Sequence, residues 1–105
     1  MKMRKDDKFR LKMLEKKIAD DDLEAMMEYA QMFQSEFPEE VTDEISSNIV
    51  KYYEICLEAG NLTAALNLGA MYYAGEFIPQ DFKKAMHYYE LATESDDGYT
   101  QIRAW

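Results

Sequence analysis

Apolar residues recur every three or four positions along most of the chain, the spacing of one face of an α-helix. Leu11, Leu14 and Ile18, widened by Phe9 and Met13, predict a first helix. Leu23, Met26, Met27, Ala30 and Phe33 predict a second, and Ile45, Ile49, Tyr52, Tyr53, Cys56 and Leu57 a third. A fourth follows through Leu62, Ala65, Leu66, Leu68, Gly69 and Tyr72, and a fifth through Phe82, Ala85, Met86, Tyr89 and Ala92. Each of the last four has a start signal. Asp22, Asn61 and Asp81 can cap, and Thr42 with Asp43 and Glu44 puts acids where the helix dipole favours them. Gly60 suits the left-handed turn that ends a helix. Ser35 to Glu40 contains Pro38 and reads as a loop, as does Ala74 to Gln80. Asp96-Asp97-Gly98 stops the fifth helix, and Tyr99 to Trp105 begins a short further element. No segment calls for a strand.

These helices are copies. Tyr52-Tyr53-Glu54-Ile55-Cys56-Leu57-Glu58 returns 36 positions later as Tyr88-Tyr89-Glu90-Leu91-Ala92-Thr93-Glu94. Leu23, Ala25, Met27, Ala30, Met32 and Phe33 return 39 positions later as Leu62, Ala64, Leu66, Gly69, Met71 and Tyr72. At that second shift Lys12 and Glu15 match Lys51 and Glu54. The unit is a helix pair, and a pair of this size has apolar faces that only a neighbouring copy can cover. The predicted fold is all-α: a right-handed α-solenoid of stacked antiparallel hairpins, about five helices and a C-terminal stub. As one domain over 1–105, it divides into a leading basic helix (1–21), repeat 1 (22–60), repeat 2 (61–97) and a partial repeat or cap (98–105). Ala30 and Gly69 in first helices, and Cys56 and Ala92 in second helices, supply small residues where helices approach.

The second pair resembles a known family. Leu68-Gly69-Ala70-Met71-Tyr72-Tyr73-Ala74-Gly75, then Ile78-Pro79-Gln80-Asp81-Phe82-Lys83-Lys84-Ala85, then Tyr88-Tyr89-Glu90-Leu91-Ala92, is similar to the Sel-1-like repeat, a relative of the tetratricopeptide repeat. Phe77 departs from the pattern, standing where the family usually has a second turn glycine, as does Asp96 at the closing glycine. In the first pair Ala30 replaces glycine, and its loop is about three residues longer. Family members act mostly as scaffolds and adaptors. The resemblance therefore implies a module that binds a protein or peptide on the concave side formed by first helices. On this chain that side comprises Glu24, Met27, Glu28 and Gln31, then Thr63, Leu66, Asn67, Ala70 and Tyr73, then Thr100 and Arg103 from the stub. Asn67 stands where tetratricopeptide domains often grip a peptide backbone. Its equivalents Glu28 and Arg103 do not repeat it, so no carboxylate-gripping clamp is expected. Glu24 and Glu28 favour a basic or neutral segment.

Charge adds a second possibility. Of the net −9, residues 1–17 contribute +5 and residues 18–105 contribute −14. An acidic body repels nucleic acid and anionic membrane, which demand matching cations. Only the basic residues 1–17 could contact such a partner, which is the alternative function: a regulatory protein touching nucleic acid or another anion. Otherwise these lysines form a solvated face or lie near the acidic body.

Candidate chemistry is sparse. The chain of 105 residues is 48% hydrophobic and 31% charged, the composition of a folding domain. One cysteine excludes a disulfide framework, and one histidine leaves little for His-based metal binding or catalysis. Cys56 fills the slot matched by Ala92 and reads as a core thiol, while His87 reads as a surface or boundary side chain. Asp20-Asp21-Asp22 and Glu94-Ser95-Asp96-Asp97 lack the alternating ligands and central glycine of a calcium loop. No phosphate-binding loop or nucleophile elbow is present. The expectation is no enzyme, no cofactor and no metal. The basic start lacks an apolar run behind it, and no stretch approaches the roughly 20 apolar residues of a membrane span. A cytoplasmic protein is expected. The last apolar edge needs a cover: the stub folded back with Trp105 as a plug, a symmetric homodimer, or further repeats.

Overall fold

Four of the helices start on side-chain oxygens that accept otherwise unpaired backbone N–H groups. Asp22 accepts from Ala25 at 3.1 Å, Thr42 Oγ1 from Ile45 at 3.2 Å, and Asp81 Oδ1 from Lys84 at 3.1 Å. Asn61 accepts from both Thr63 and Ala64, at 2.9 and 3.3 Å. All four are the caps read from the sequence. A computed structural model describes residues 3–95. Its helices are α1 (Lys5–Ala19), α2 (Leu23–Ser35), α3 (Asp43–Glu58), α4 (Leu62–Ala74) and α5 (Phe82–Ser95), with a single 3-10 turn at Pro38–Glu40. The described residues contain no strand. The stub from Tyr99 to Trp105, with Thr100 and Arg103, lies outside them.

The chain forms two compact units that divide between Cys56 and Leu57. In the first, α1 packs on α2, joined by a tight turn in which Asp21 takes a left-handed φ of 63°. Leu14 of α1 is buried, whereas Phe9 and Met13 are 66% and 40% exposed. The buried stripe of α1 is thus narrower than its sequence suggests. The core of the unit comes from α2 and α3: Met26, Tyr29, Ala30, Met32, Phe33, Ile49, Tyr53 and Cys56 are all buried. The Tyr29 ring meets those of Phe33 and Tyr52 edge-on, with centroids 5.0 and 5.1 Å away, a favourable arrangement of aromatic quadrupoles. Tyr29 Oη accepts from Asn48 Nδ2 at 3.2 Å, and the Tyr53 phenol donates to Gln34 Oε1. Burial pushes the Tyr29 phenol above its ordinary range, so it stays protonated in neutral solution.

In the second unit α4 and α5 pack antiparallel. Gly69 makes this possible: a Cβ there would come within 2.8 Å of the Tyr89 ring. The turn between them closes on the end of α4. Gly75 adopts φ 70° and bonds Met71 O, Asp81 N–H reaches Tyr72 O at 2.9 Å, and Gln80 Nε2 reaches Tyr73 O at 2.8 Å. Phe77 sits at φ 65°, the region where glycine is at ease. A bulky side chain there costs about 1 kcal/mol. That backbone requirement accounts for the turn glycine of the family pattern from which Phe77 departs.

Candidate functional site

The solvent face of α4 follows from helix periodicity. Ala64, Ala65, Leu68, Gly69 and Met71 point inward and are buried. Positions 63, 66, 70 and 73 are left on the outer face: Thr63 and Ala70 are exposed, Leu66 is 50% exposed and Tyr73 is 59% exposed. Asn67, at the edge of this strip, is half-buried. Tyr73 does not stand alone, since the Phe82 ring lies edge-on to it at 5.4 Å. The five α4 residues predicted from the sequence therefore share one side of the helix.

On α2 the outcome is mixed. Glu24, Glu28 and Gln31 are exposed, but Met27 is 8% exposed and belongs to the core of its unit. Its place in the repeat assigned it to the surface; the dense α2 interior, rich in methionine and aromatic side chains, takes it instead. Glu28 is engaged by Arg10 Nε of α1 at 3.1 Å, and Arg10 Nη1 also reaches Glu36 at 3.2 Å. Burial alone would lower the Arg10 pKa; the hydrogen bonds to Glu28 and Glu36 outweigh it and raise it. All three side chains are substantially exposed, so these pairs contribute at most about 1 kcal/mol. One cation of the leading helix is thus spent on the acidic body, while Lys5, Lys8, Lys12, Lys16 and Lys17 remain exposed. Arg103 lies outside the described residues.

Two surfaces escaped the sequence reading. Phe82 and Met86, counted above on the buried side of the fifth helix, are 55% and 59% exposed; Ala85 and Ala92 occupy that side instead. Nearby, Leu62, Thr63, Leu66, Ala92 and Thr93 line a cleft of about 190 Å³ where the start of α4 meets the end of α5. In the first unit, Arg4, Asp6, Asp7, Ser35, Glu36 and Phe37 line an open groove.

Cys56 and His87 offer no chemistry of their own. The thiol is fully buried and donates to Leu23 O at 3.4 Å, and burial pushes its pKa up. The thiolate is the reactive form, so Cys56 should alkylate at least about a hundredfold slower in the native protein than in the urea-unfolded chain. Mass spectrometry after timed exposure to iodoacetamide checks this. His87 is exposed and lies edge-on to Tyr88 at 5.4 Å. Among the described residues no three His, Cys, Asp or Glu side chains are gathered to hold a metal ion. No helix of the described residues is long and apolar enough to cross a membrane.

Helix pairs repeating at 36 and 39 residues, with small residues at the helix contact and polar caps at each start, define a helical-repeat protein. The family model for the Sel1 repeat matches residues 62–97, which places the second helix pair in the Sel1 repeat family. Sel1 repeats are generally protein–protein interaction modules, typically without catalytic activity. Neither a curated protein nor a solved structure matches the chain.

Proposed function

We propose that this protein is a non-catalytic adaptor that binds a protein or peptide segment on the outer face of α4. Thr63, Leu66, Ala70 and Tyr73 form that face, with half-buried Asn67 at its edge. The observation that carries this reading is Tyr73, an aromatic ring 59% exposed on the first helix of a Sel1 repeat. Exposed aromatic side chains concentrate binding energy because they desolvate a large area with little rotamer entropy. Asn67 offers an amide donor and acceptor one to two turns away, suited to a peptide backbone. In the other unit, Glu24, Glu28 and Gln31 give α2 an acidic surface of its own, favouring basic or neutral partners. The single buried thiol agrees with a reducing, cytoplasmic setting.

Affinity capture from the source cells with mass spectrometry tests the assignment. Asn67→Ala with Tyr73→Ala should remove the principal partner, a loss of about 2 kcal/mol or more in binding. An unchanged partner set would refute the α4 face. Loss only on Lys8→Glu with Lys12→Glu would move the contact to α1 and its lysines.

A further inference from the structure

The outer side of α1 combines exposed apolar side chains with unpaired positive charge. Its covered side is marked by buried Leu14, with Arg10, Leu11 and Ile18 partly covered. Across the helix from Leu14, periodicity gathers Lys5, Lys8, Phe9, Lys12, Met13 and Lys16, all exposed. Phe9 is 66% exposed and Met13 40%, and a spacing of four makes them neighbours. Lys8, Lys12 and Lys16 also follow one another at spacings of four, where like charges weaken a helix. A face serving only solubility would mix signs, and the chain holds 21 acidic residues against 12 basic. Yet Asp6 and Glu15 fall at the flanks of this face and Asp7 on the covered side. Arg10 is paired with Glu28 and Glu36, whereas among the described residues the four lysines have no acidic partner.

We propose that this face docks α1 lengthwise on an anionic lipid surface. Phe9 and Met13 enter the headgroup boundary, and Lys5, Lys8, Lys12 and Lys16 meet the acidic headgroups while their aliphatic stems lie beside the ring. Charge and shape together select this occupant. A single helix face is convex, so it has no walls to hold a peptide, whereas a lipid surface is a plane that yields to a protruding ring. A nucleic-acid duplex would engage the lysines through its phosphates but leave Phe9 and Met13 in water. The acids of α2 do not forbid the approach. Packed helix axes stand about 8–10 Å apart, about one Debye length at physiological salt, and α1 lies between α2 and the lipid. The contact is peripheral, since no helix of the described residues can cross a membrane. It goes beyond the adaptor reading and uses none of the α4 face.

Co-sedimentation of the full chain with vesicles tests this. The protein should pellet with phosphatidylcholine vesicles that contain phosphatidylserine, stay in solution with phosphatidylcholine alone, and be released as salt rises from about 0.1 M to about 1 M. A lysine near an anionic surface strengthens binding about fivefold, so Lys8→Gln with Lys12→Gln should weaken it about 25-fold. Phe9→Ala should weaken it about tenfold through lost apolar burial. Helical circular dichroism is retained in both variants, because all three side chains are exposed. Tyr73→Ala, aimed at the α4 face, leaves vesicle binding unchanged, which keeps failure of this proposal distinct from failure of the adaptor reading. Absence of binding to the phosphatidylserine vesicles, or equal binding to both kinds, overturns the proposal. So does binding that Phe9→Ala leaves intact, which reduces the contact to charge attraction alone. Tighter binding to a duplex DNA oligonucleotide than to the vesicles also overturns it and assigns the lysines to nucleic acid.

Discussion

Tyr53→Ala should lower the unfolding free energy of the first unit by about 4 kcal/mol, the largest single-residue effect expected in this chain. The ring is fully buried and is the largest fully enclosed side chain among the described residues. Truncation at Cβ removes its transfer free energy and leaves a cavity that α2 and α3 can only partly fill. The phenol also donates to Gln34 Oε1, so the alanine variant strips one partner from a part-buried polar contact. Tyr53→Phe separates the two contributions: it keeps the ring and loses the hydroxyl, and should cost about 1 kcal/mol. Urea titration followed by far-ultraviolet circular dichroism reads both values. Because a small domain is stable by only about 5–15 kcal/mol, the alanine variant should unfold at a much lower midpoint. A loss below about 1 kcal/mol for Tyr53→Ala would mean that the repeated Tyr-Tyr motif does not anchor the core.

The helices and their starts were legible because local chemistry determines them. Asp22, Thr42, Asn61 and Asp81 cap helices whatever lies around them, since the acceptor and the unpaired N–H are two or three residues apart. The small-residue slots were legible for a different reason. Ala30, Cys56 and Ala92 are buried as their repeat positions require, and the Gly69 contact with Tyr89 shows why bulk is excluded there. Exposure was harder to read. Met27 and Leu66 occupy one repeat position, yet one is 8% and the other 50% exposed. Periodicity says which residues share a helix face; how far that face is covered depends on what packs against it, which lies outside the helix. Phe9, Phe82 and Met86 were misplaced in the same way. Of the candidate site, the α4 residues were recoverable from the repeat register, whereas the Tyr73–Phe82 contact depends on how the turn between α4 and α5 closes.

Substitution at Gly69 should reverse the usual order of helix propensity. Alanine in a helix interior normally gains about 1 kcal/mol over glycine. At Gly69 the new Cβ would stand 2.8 Å from Tyr89 Cε1, 2.9 Å from Cδ1 and 3.1 Å from Cζ, closer than carbon atoms pack. The ring must turn aside or α4 and α5 must separate, and overpacking of this kind costs about 1–3 kcal/mol. Gly69→Ala should therefore be destabilising by about 1 kcal/mol, and Gly69→Val, with two further methyl groups against the same ring, by about 3 kcal/mol. The cause is isolated by removing the obstacle. In a Tyr89→Ala background, Gly69→Ala meets no ring and should stabilise by about 1 kcal/mol, giving a coupling near 2 kcal/mol between the two positions. Thermal unfolding of the four proteins completes the cycle. A more stable Gly69→Ala in the presence of Tyr89 would show that the helices do not approach as closely as the glycine permits. The same sign in both backgrounds would show that the ring does not set the helix spacing.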